Sequence, residues 1–303
     1  MDQPAWKRWL QQNLGFASAL LLLLAIYLVY NMLHPRGFSS AVFVQNANET
    51  AAIAFVAMAQ TIPVLAGGLD LSVGAVMTLT SCIASVLVNG SPAEIVFGMI
   101  ATLLAGTVFG LANGLIVVYG RIQPIIATLA TGAIAIGLAL LVRPKPGGDV
   151  DGDLGWALTN SVWDFADTYG IADGGDAWWL RPFADIPMPL IIVLLVTVLV
   201  WVPFRRSVTG RTVYAIGSAE GAAFMSGLPI ARAKIAAFTL GGFFAACGGL
   251  YLAIQTSSGN ADLQQAGAYT LNSIAAVVLG GTSLLGGIGG AVASLVGAAI
   301  LRV

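Results

Sequence analysis

Charge is what this chain has least of. Only 9% of its 303 residues are Asp, Glu, Lys or Arg, against about 25% in a soluble domain, so it could not cover its own surface in water. A formal net charge of −1 argues against the basic footprint that nucleic-acid binding requires. One histidine, His34, and two cysteines, Cys82 and Cys247, leave no metal-ligand cluster and no disulfide framework. Both cysteines sit in apolar runs and read as buried packing thiols. No Gly-Lys pair occurs anywhere, so the chain lacks the Gly-x-x-x-x-Gly-Lys-Ser/Thr loop that would cradle ATP. No Ser/His, Asp/Asp or His-metal constellation stands at helical spacing. No catalytic residue, metal or cofactor is expected in this polypeptide.

What is there in quantity is apolar bulk. Hydrophobic residues make up 58% of the chain, and 37 glycines accompany them. Small residues let transmembrane helices approach closely, so both features fit an all-α, polytopic transmembrane helical bundle. With roughly 20 residues needed per crossing, about nine spans are expected, at about 16–33, 45–66, 73–89, 95–119, 124–142, 188–204, 234–256, 268–285 and 287–303. Together they make residues 1–303 one transmembrane domain. The run Phe16–Leu33 is too long for a signal-peptide core and no small-residue cleavage site follows it, so it reads as a retained helix. The last two spans are the weakest as separate helices.

Orientation follows from where Lys and Arg collect. Residues 205–233 and the start of the next span hold Arg205, Arg206, Arg211, Arg232 and Lys234 against one acid, Glu220. Residues 143–187 hold Asp149, Asp151, Asp153, Asp164, Asp167, Asp173, Asp176 and Asp185 against Arg143, Lys145 and Arg181. The basic segment is therefore expected in the cytoplasm together with Lys7–Arg8 and Arg121, and the acidic loop outside. His34, Arg36 and Arg302 run against this assignment and are outweighed by the five cations of one loop. The long acidic loop carries Trp156, Trp163, Trp178 and Trp179. Two readings are open for it: interfacial anchors on an ordered lid, or an external docking and gating surface.

Two glycine-rich breaks interrupt the spans. In Gly67-Gly68-Leu69-Asp70-Leu71-Ser72-Val73-Gly74 the glycines can end one helix at positive φ, and Asp70 or Ser72 can cap the next. A carboxylate this near hydrocarbon must be hydrogen-bonded or face a wet cavity. The segment reads as a capped turn, a gate or pivot, or a substrate contact. The second break, Gly280 to Gly290, repeats the Gly-Gly-x-polar-Leu pattern. Pro63, Pro124 and Pro189, with Gln60, Thr61, Asn113 and Gln123, add kinking or polar points, while Gln255, Thr256, Ser257, Ser258 and Asn260 could form an outer entry. Within the basic loop, Glu220 to Met225 reads as a short helix stopped at Gly227 and Pro229, with Ser218 as N-cap. Its Ala222, Ala223, Phe224 and Met225 would present a small apolar ridge suited to a partner's groove.

Several of these pieces carry a resemblance: GGLDLSVG (67–74), ANG (112–114), RIQPIIATL (121–129), GRTVYAIGS (210–218), AAFMSG (222–227) and VVLGGTSLLGG (277–287). Through them, and from the first span to the end, the chain resembles the permease subunits of ATP-binding-cassette importers for simple sugars of the ribose, xylose and galactofuranose type. The resemblance implies that residues 218–229 form the coupling helix, so that Ser218, Glu220, Ala222, Ala223, Phe224 and Gly227 would meet the ATPase. Glu220 stands one position before the acidic residue usual in the family, where this chain has Gly221. It further implies a second permease copy, identical or related, a pair of cytoplasmic ATPases that hold the ATP-Mg, and an external, periplasmic sugar-binding protein. The bilayer would be a bacterial cytoplasmic membrane, with the N-terminus in the cytoplasm. Gly67, Gly68, Asp70, Ser72, Asn113 and Gln123 are expected at the translocation pathway or its gates. About ten spans are usual in the family, one more than this sequence holds before Val303. A secondary transporter would need paired intramembrane carboxylates, and only Asp70 is available. An importer of the same architecture for a nucleoside or a furanone signal is the nearer alternative.

Overall fold

The computed structural model describes residues 14–172 and 177–302; Lys7, Arg8, Asp173 and Asp176, used above for orientation, lie outside them. Among the described residues the backbone forms twelve α-helices and no extended strand. They are α1 (Leu14–Leu33), α2 (Ser40–Leu65), α3 (Val73–Leu87), α4 (Pro92–Tyr119), α5 (Pro124–Val142), α6 (Gly152–Thr159), α7 (Val162–Thr168), α8 (Met188–Arg206), α9 (Val208–Met225), α10 (Ile230–Thr256), α11 (Leu263–Leu279) and α12 (Ala291–Ile300). Local chemistry marks their starts. Ser39 caps α2 and Ser207 caps α9, each accepting a backbone N–H with its side chain. Ser91 and Glu94 form a reciprocal capping box on α4, where Pro92 at the first turn loses no hydrogen bond.

Five helices, α1, α4, α5, α8 and α10, are long and apolar enough to cross a bilayer. The chain is a polytopic helical membrane protein. α1 shows how such a helix meets lipid: Leu21 and Leu24 are exposed, and only Ala19 and Asn31 of the helix are buried. α2 is its opposite. Every residue from Ala51 to Leu65 is buried, because α8, α10, α11 and α12 enclose it, and a helix whose surroundings are protein can carry Gln60 and Thr61 without facing hydrocarbon. The span expected over 268–285 stops at Leu279, and that over 287–303 is helical only from Ala291 to Ile300. Ten residues at about 1.5 Å each reach roughly half of a 30 Å core.

The helices α4 and α10 cross in close contact. Gly106, Gly110 and Gly114 of α4 repeat every fourth residue and so share one face. Against that face lie Gly242, Phe238 and Ile235 of α10; an added methyl at Gly114 would sit 2.9 Å from the Ile235 Cα. Backbones meet here with no side chain between them, which is how membrane helices gain contact energy without a hydrophobic drive.

Outside the bundle, residues 143–172 and 177–187 pack into a small folded unit. α6 and α7 pack together, and Ala166, Ala172, Ala177 and Leu180 form a small core with Val162 and Trp163. Trp156, Trp178 and Trp179 are exposed. Several hydrogen bonds tie the segment to the spans: the Arg143 guanidinium donates to the Ser85 carbonyl (2.7 Å), the Asp151 N–H to the Val88 carbonyl (3.0 Å), and Gly147 and Gly259 exchange both backbone hydrogen bonds. Cys82 and Cys247 are free and buried, as packing thiols should be.

The segment 205–233, read from sequence as a loop with one short helix, is mostly helical. α8 runs to Arg206 and α9 begins at Val208. Within α9 only Ala219, at φ −165 and ψ 95, leaves helical geometry and sets off the turns from Glu220 to Met225.

Candidate functional site

The first break ends α2 as its glycines require. Gly67 takes φ 75, and the Gly67 and Gly68 N–H groups donate to the carbonyls of Val64 (2.9 Å) and Pro63 (3.0 Å). This is a Schellman ending, which satisfies two carbonyls that would otherwise be orphaned in the membrane. Gly68 also lets the chain pass Pro124, whose ring would lie 3.3 Å from an added methyl.

Beyond the glycines the backbone is irregular, and side chains from four helices meet its polar groups. Gln60 of α2, with its carboxamide turned to satisfy both ends, donates to the Asp70 carbonyl (2.8 Å) and accepts from the Asp70 N–H (3.3 Å). The Leu71 N–H donates to Thr128 Oγ1 on α5 (2.9 Å), and the Gly74 N–H to Thr270 Oγ1 on α11 (3.1 Å). Asp70 Oδ1 accepts from both the Ser72 N–H (2.9 Å) and the Ser72 hydroxyl (2.6 Å). Asn113 of α4 completes the hub by donating to Ser72 Oγ (2.8 Å). Asp70, Ser72 and Asn113 are each at most 2% exposed. Of the two residues expected to cap α3, Asp70 takes an N–H at its start, whereas the Ser72 side chain makes no cap bond. Its hydroxyl is committed to bridging Asp70 and Asn113.

The hub makes a testable distinction. Asp70→Leu leaves the Ser72 N–H and hydroxyl without their acceptor, and a buried unpaired group costs about 1–3 kcal/mol. Asp70→Asn keeps an acceptor oxygen there. In thermal melts of the purified protein Asp70→Leu should be clearly destabilised and Asp70→Asn much less so; equal melting of the two would contradict the hub.

Gln123, expected with this group, lies elsewhere. It is exposed ahead of α5 with no side-chain cap bond, and it lines a groove of about 770 Å³ with Val117, Arg121, Glu220, Phe224 and Lys234. On its far wall is the short terminal helix of α9. There Ala222 is exposed, as are Phe224 (71%) and Met225 (86%), but Ala223 is turned inward and only 4% exposed. The apolar ridge is therefore Ala222, Phe224 and Met225, without Ala223, because successive residues on a helix point about 100° apart. Ser218 is not the N-cap; its hydroxyl donates back to the Tyr214 carbonyl (3.0 Å), and Ala219 occupies the non-helical position. Glu220 forms an ion pair with Lys234 of α10 at 2.6 Å, which ties the short helix to the following span. Gly227, at φ 72, closes the helix with its N–H on the Phe224 carbonyl (2.9 Å).

The turn before Ala219 lies against both breaks at once. The Gly287 N–H donates to the Leu65 carbonyl (3.1 Å), Gly217 packs on Leu65 and Gly286, and Tyr214 Oη donates to the Gly289 carbonyl (2.8 Å). The resemblance between the two breaks thus ends in physical contact, with Gly217 between them.

At the opposite end of the spans, Gln255 lines a cavity of about 550 Å³ with Gln45, Asn48, Glu49, Asn160, Asp164 and Asp185. Asn48 anchors this region, donating to the Thr159 carbonyl and accepting from Tyr251 Oη. The polar start of α2, read from sequence as interfacial, is one wall of this cavity. Thr128 and Thr270 had no signal of their own in the sequence. Only the rule that every N–H of an irregular intramembrane segment needs a partner points to such residues. Among the described residues no group of three or more His, Cys, Asp or Glu is placed to hold a metal ion.

Helices ended by paired glycines, a buried polar hub at one break and a short exposed helix projecting from one end define a membrane protein with broken spans. Residues 42–303 match the family described as branched-chain amino acid transport system / permease component, and the chain belongs to it. A ribose import permease protein, RbsC, of Haemophilus influenzae is 34% identical over 93% of this chain and 81% of its own length. A fructose import permease protein, FruG, of Bifidobacterium longum is 32% identical over 87% of this chain and 73% of its own. An autoinducer 2 import system permease protein, LsrD, of Salmonella paratyphi B is 28% identical over 97% and 83%. No solved structure matches.

Proposed function

We propose that this chain is the membrane-spanning permease subunit of an ATP-binding-cassette importer that carries a simple sugar delivered by an external binding protein. The observation that carries this reading is the helix Glu220–Met225. It is set off by the Ala219 kink, exposes Phe224 and Met225, and borders an open groove. A membrane protein gains nothing from holding two large apolar side chains in water unless a partner covers them. Family membership supports that partner's being an ATPase pair, which would hold the ATP-Mg this chain has no loop to bind. The relatives named for ribose and fructose import support the cargo.

In this reading the chain lies in a bacterial cytoplasmic membrane with about nine spans. Its N-terminus and residues 205–233 are cytoplasmic, residues 143–187 are external, and a second permease copy completes the pathway. ATP-driven closure of the ATPases moves the coupling helices and switches which end of the pathway is open. Asp70, Ser72 and Asn113 act as a pivot or gate rather than as sugar contacts, since their side chains are buried, and Gly67 and Gly68 belong to the same break. Gln123 belongs to the cytoplasmic mouth, and Gln255 to the outer entry. The autoinducer relative favours a second reading, in which the same architecture imports a furanone signal. The ligand bound by the cognate external protein distinguishes the two.

The test uses the exposed ridge. Phe224→Asp with Met225→Asp should abolish co-purification of the cognate ATPase while membrane insertion and melting temperature hold, because neither side chain is buried. Retained ATPase binding would overturn the docking assignment. Transport that persists in nucleotide-free vesicles would instead point to a secondary transporter.

A further inference from the structure

A groove of about 300 Å³ opens between α1, α2, α8 and α12, lined by residues that belong neither to the hub nor to the two cavities described above. Its walls are Leu23, Leu24, Phe43, Leu190, Leu194 and Leu295, among others, all apolar except Tyr27, Asn46 and Thr50. Leu24, Phe43, Leu190 and Leu194 are exposed on helices that include two of the clear membrane spans, so the groove faces lipid. Asn46 is 7% exposed, and its amide nitrogen has no hydrogen-bond partner among the described residues. A buried amide left unpaired is costly. Water is a poor remedy here, since an ordered water needs two to four polar partners and the walls offer few.

Depth narrows the occupant further. Ser39 caps the surface end of α2, and Asn46 follows seven residues later, about 10 Å along the axis at 1.5 Å per residue. Tyr27 lies six residues, about 9 Å, before the end of α1 at Leu33. The interfacial layer on each side of the hydrocarbon is roughly 5–8 Å thick. Both polar side chains therefore sit where that layer gives way to acyl chains, the level of a phospholipid's ester carbonyls. An ester carbonyl is an acceptor without a donor, and it is attached to an apolar chain.

We infer that this groove is a phospholipid site, with one acyl chain along the apolar walls and an ester carbonyl accepting from the Asn46 amide. A single bound lipid would fill the space between α1 and α8 and satisfy the unpaired Asn46 amide. The inference needs only that the helices lie in a bilayer, so it stands apart from the cargo and from the ATPase.

The full chain is reconstituted in vesicles of dioleoyl phosphatidylglycerol and phosphatidylethanolamine, extracted in mild detergent, and weighed by native mass spectrometry. One phospholipid should stay with each chain. In vesicles of the dialkyl ether analogues, which lack the ester carbonyl, retention should fall about fivefold, the worth of one net hydrogen bond. Asn46→Leu should erase that ester preference, and Ala47→Trp, which fills the groove, should remove the lipid. Equal retention of ester and ether lipids in the wild-type chain would overturn the inference, as would undiminished retention in a folded Ala47→Trp variant. A photo-crosslinker at position 47 that captures a second copy of the chain instead of lipid would also overturn it. If Ala47→Trp fails to fold, the ester–ether comparison and Asn46→Leu still decide.

Discussion

Gly110→Leu should prevent the chain from accumulating as a folded, monodisperse protein, and Gly110→Ala should already lower its stability by about 2–3 kcal/mol. The reason is the α4–α10 crossing. A methyl built on Gly110 would overlap the Phe238 carbonyl oxygen and lie 2.9 Å from both the Cα and the N of Gly242. These are backbone atoms of a helix packed on its other faces, so they cannot move aside as a side-chain tip could. A leucine adds three further carbons in the same place. Separating the helices would also forfeit the contacts at Gly106 and Gly114, which lie on the same face. Gly137 of α5 provides the control, because nothing lies within 4 Å of its added methyl. Gly137→Ala should melt no lower than the parent and gain up to about 1 kcal/mol from helix propensity. Thermal melts in detergent, with size-exclusion profiles, check both. Parallel losses in the two alanine variants would refute the crossing as the cause.

Gly217→Val is expected to lower transport at least tenfold while leaving the ATPase bound. Gly217 packs where α9 meets both breaks: an added methyl would strike the Leu65 carbonyl and the Gly287 nitrogen and lie 2.8 Å from the Gly286 carbonyl carbon. A valine there must part the breaks from each other or push α9 off them. Either movement uncouples the short helix from the Gly67–Gly74 and Gly280–Gly290 segments. The exposed ridge at Phe224 and Met225, proposed above as the docking surface, lies beyond the Ala219 kink, so binding of the ATPase should survive. Sugar uptake by proteoliposomes of the assembled importer, measured beside co-purification, separates the effects. Uptake at the parental rate would show that this junction transmits nothing, and loss of co-purification would show that the ridge is not independent of it.

These expectations divide between what could be read from the chain and what could not. Apolar bulk, the capping residues at Ser39, Ser91 and Ser207, and the Gly-Gly stops were legible, because each acts through its own residues and immediate neighbours. Helix starts and stops followed the hydrophobic runs closely where a helix faces lipid, as in α4 and α5. They matched less well at α9 and α12, whose boundaries depend on what the chain packs against. The motif GGLDLSVG marked Asp70 and Ser72 as unusual, but the segment's partners are Asn113, Gln60, Thr128 and Thr270, residues contributed by four helices. A sequence pattern has no means of selecting one threonine among many as the acceptor for the Leu71 N–H.

Taken alone, the sequence determined that this protein is a helical bundle living in a membrane, broken at two glycine-rich points and carrying a short helix after a basic turn. Those properties follow from local sterics and from transfer of apolar residues out of water, and both act residue by residue. Tertiary structure decided which face of the short helix is free, leaving Phe224 and Met225 outside and Ala223 within. It separated Gln123 from the Asp70 hub and brought the two breaks together at Gly217. Each of these outcomes depends on distances between segments far apart in the chain, and backbone packing, not composition, sets those distances.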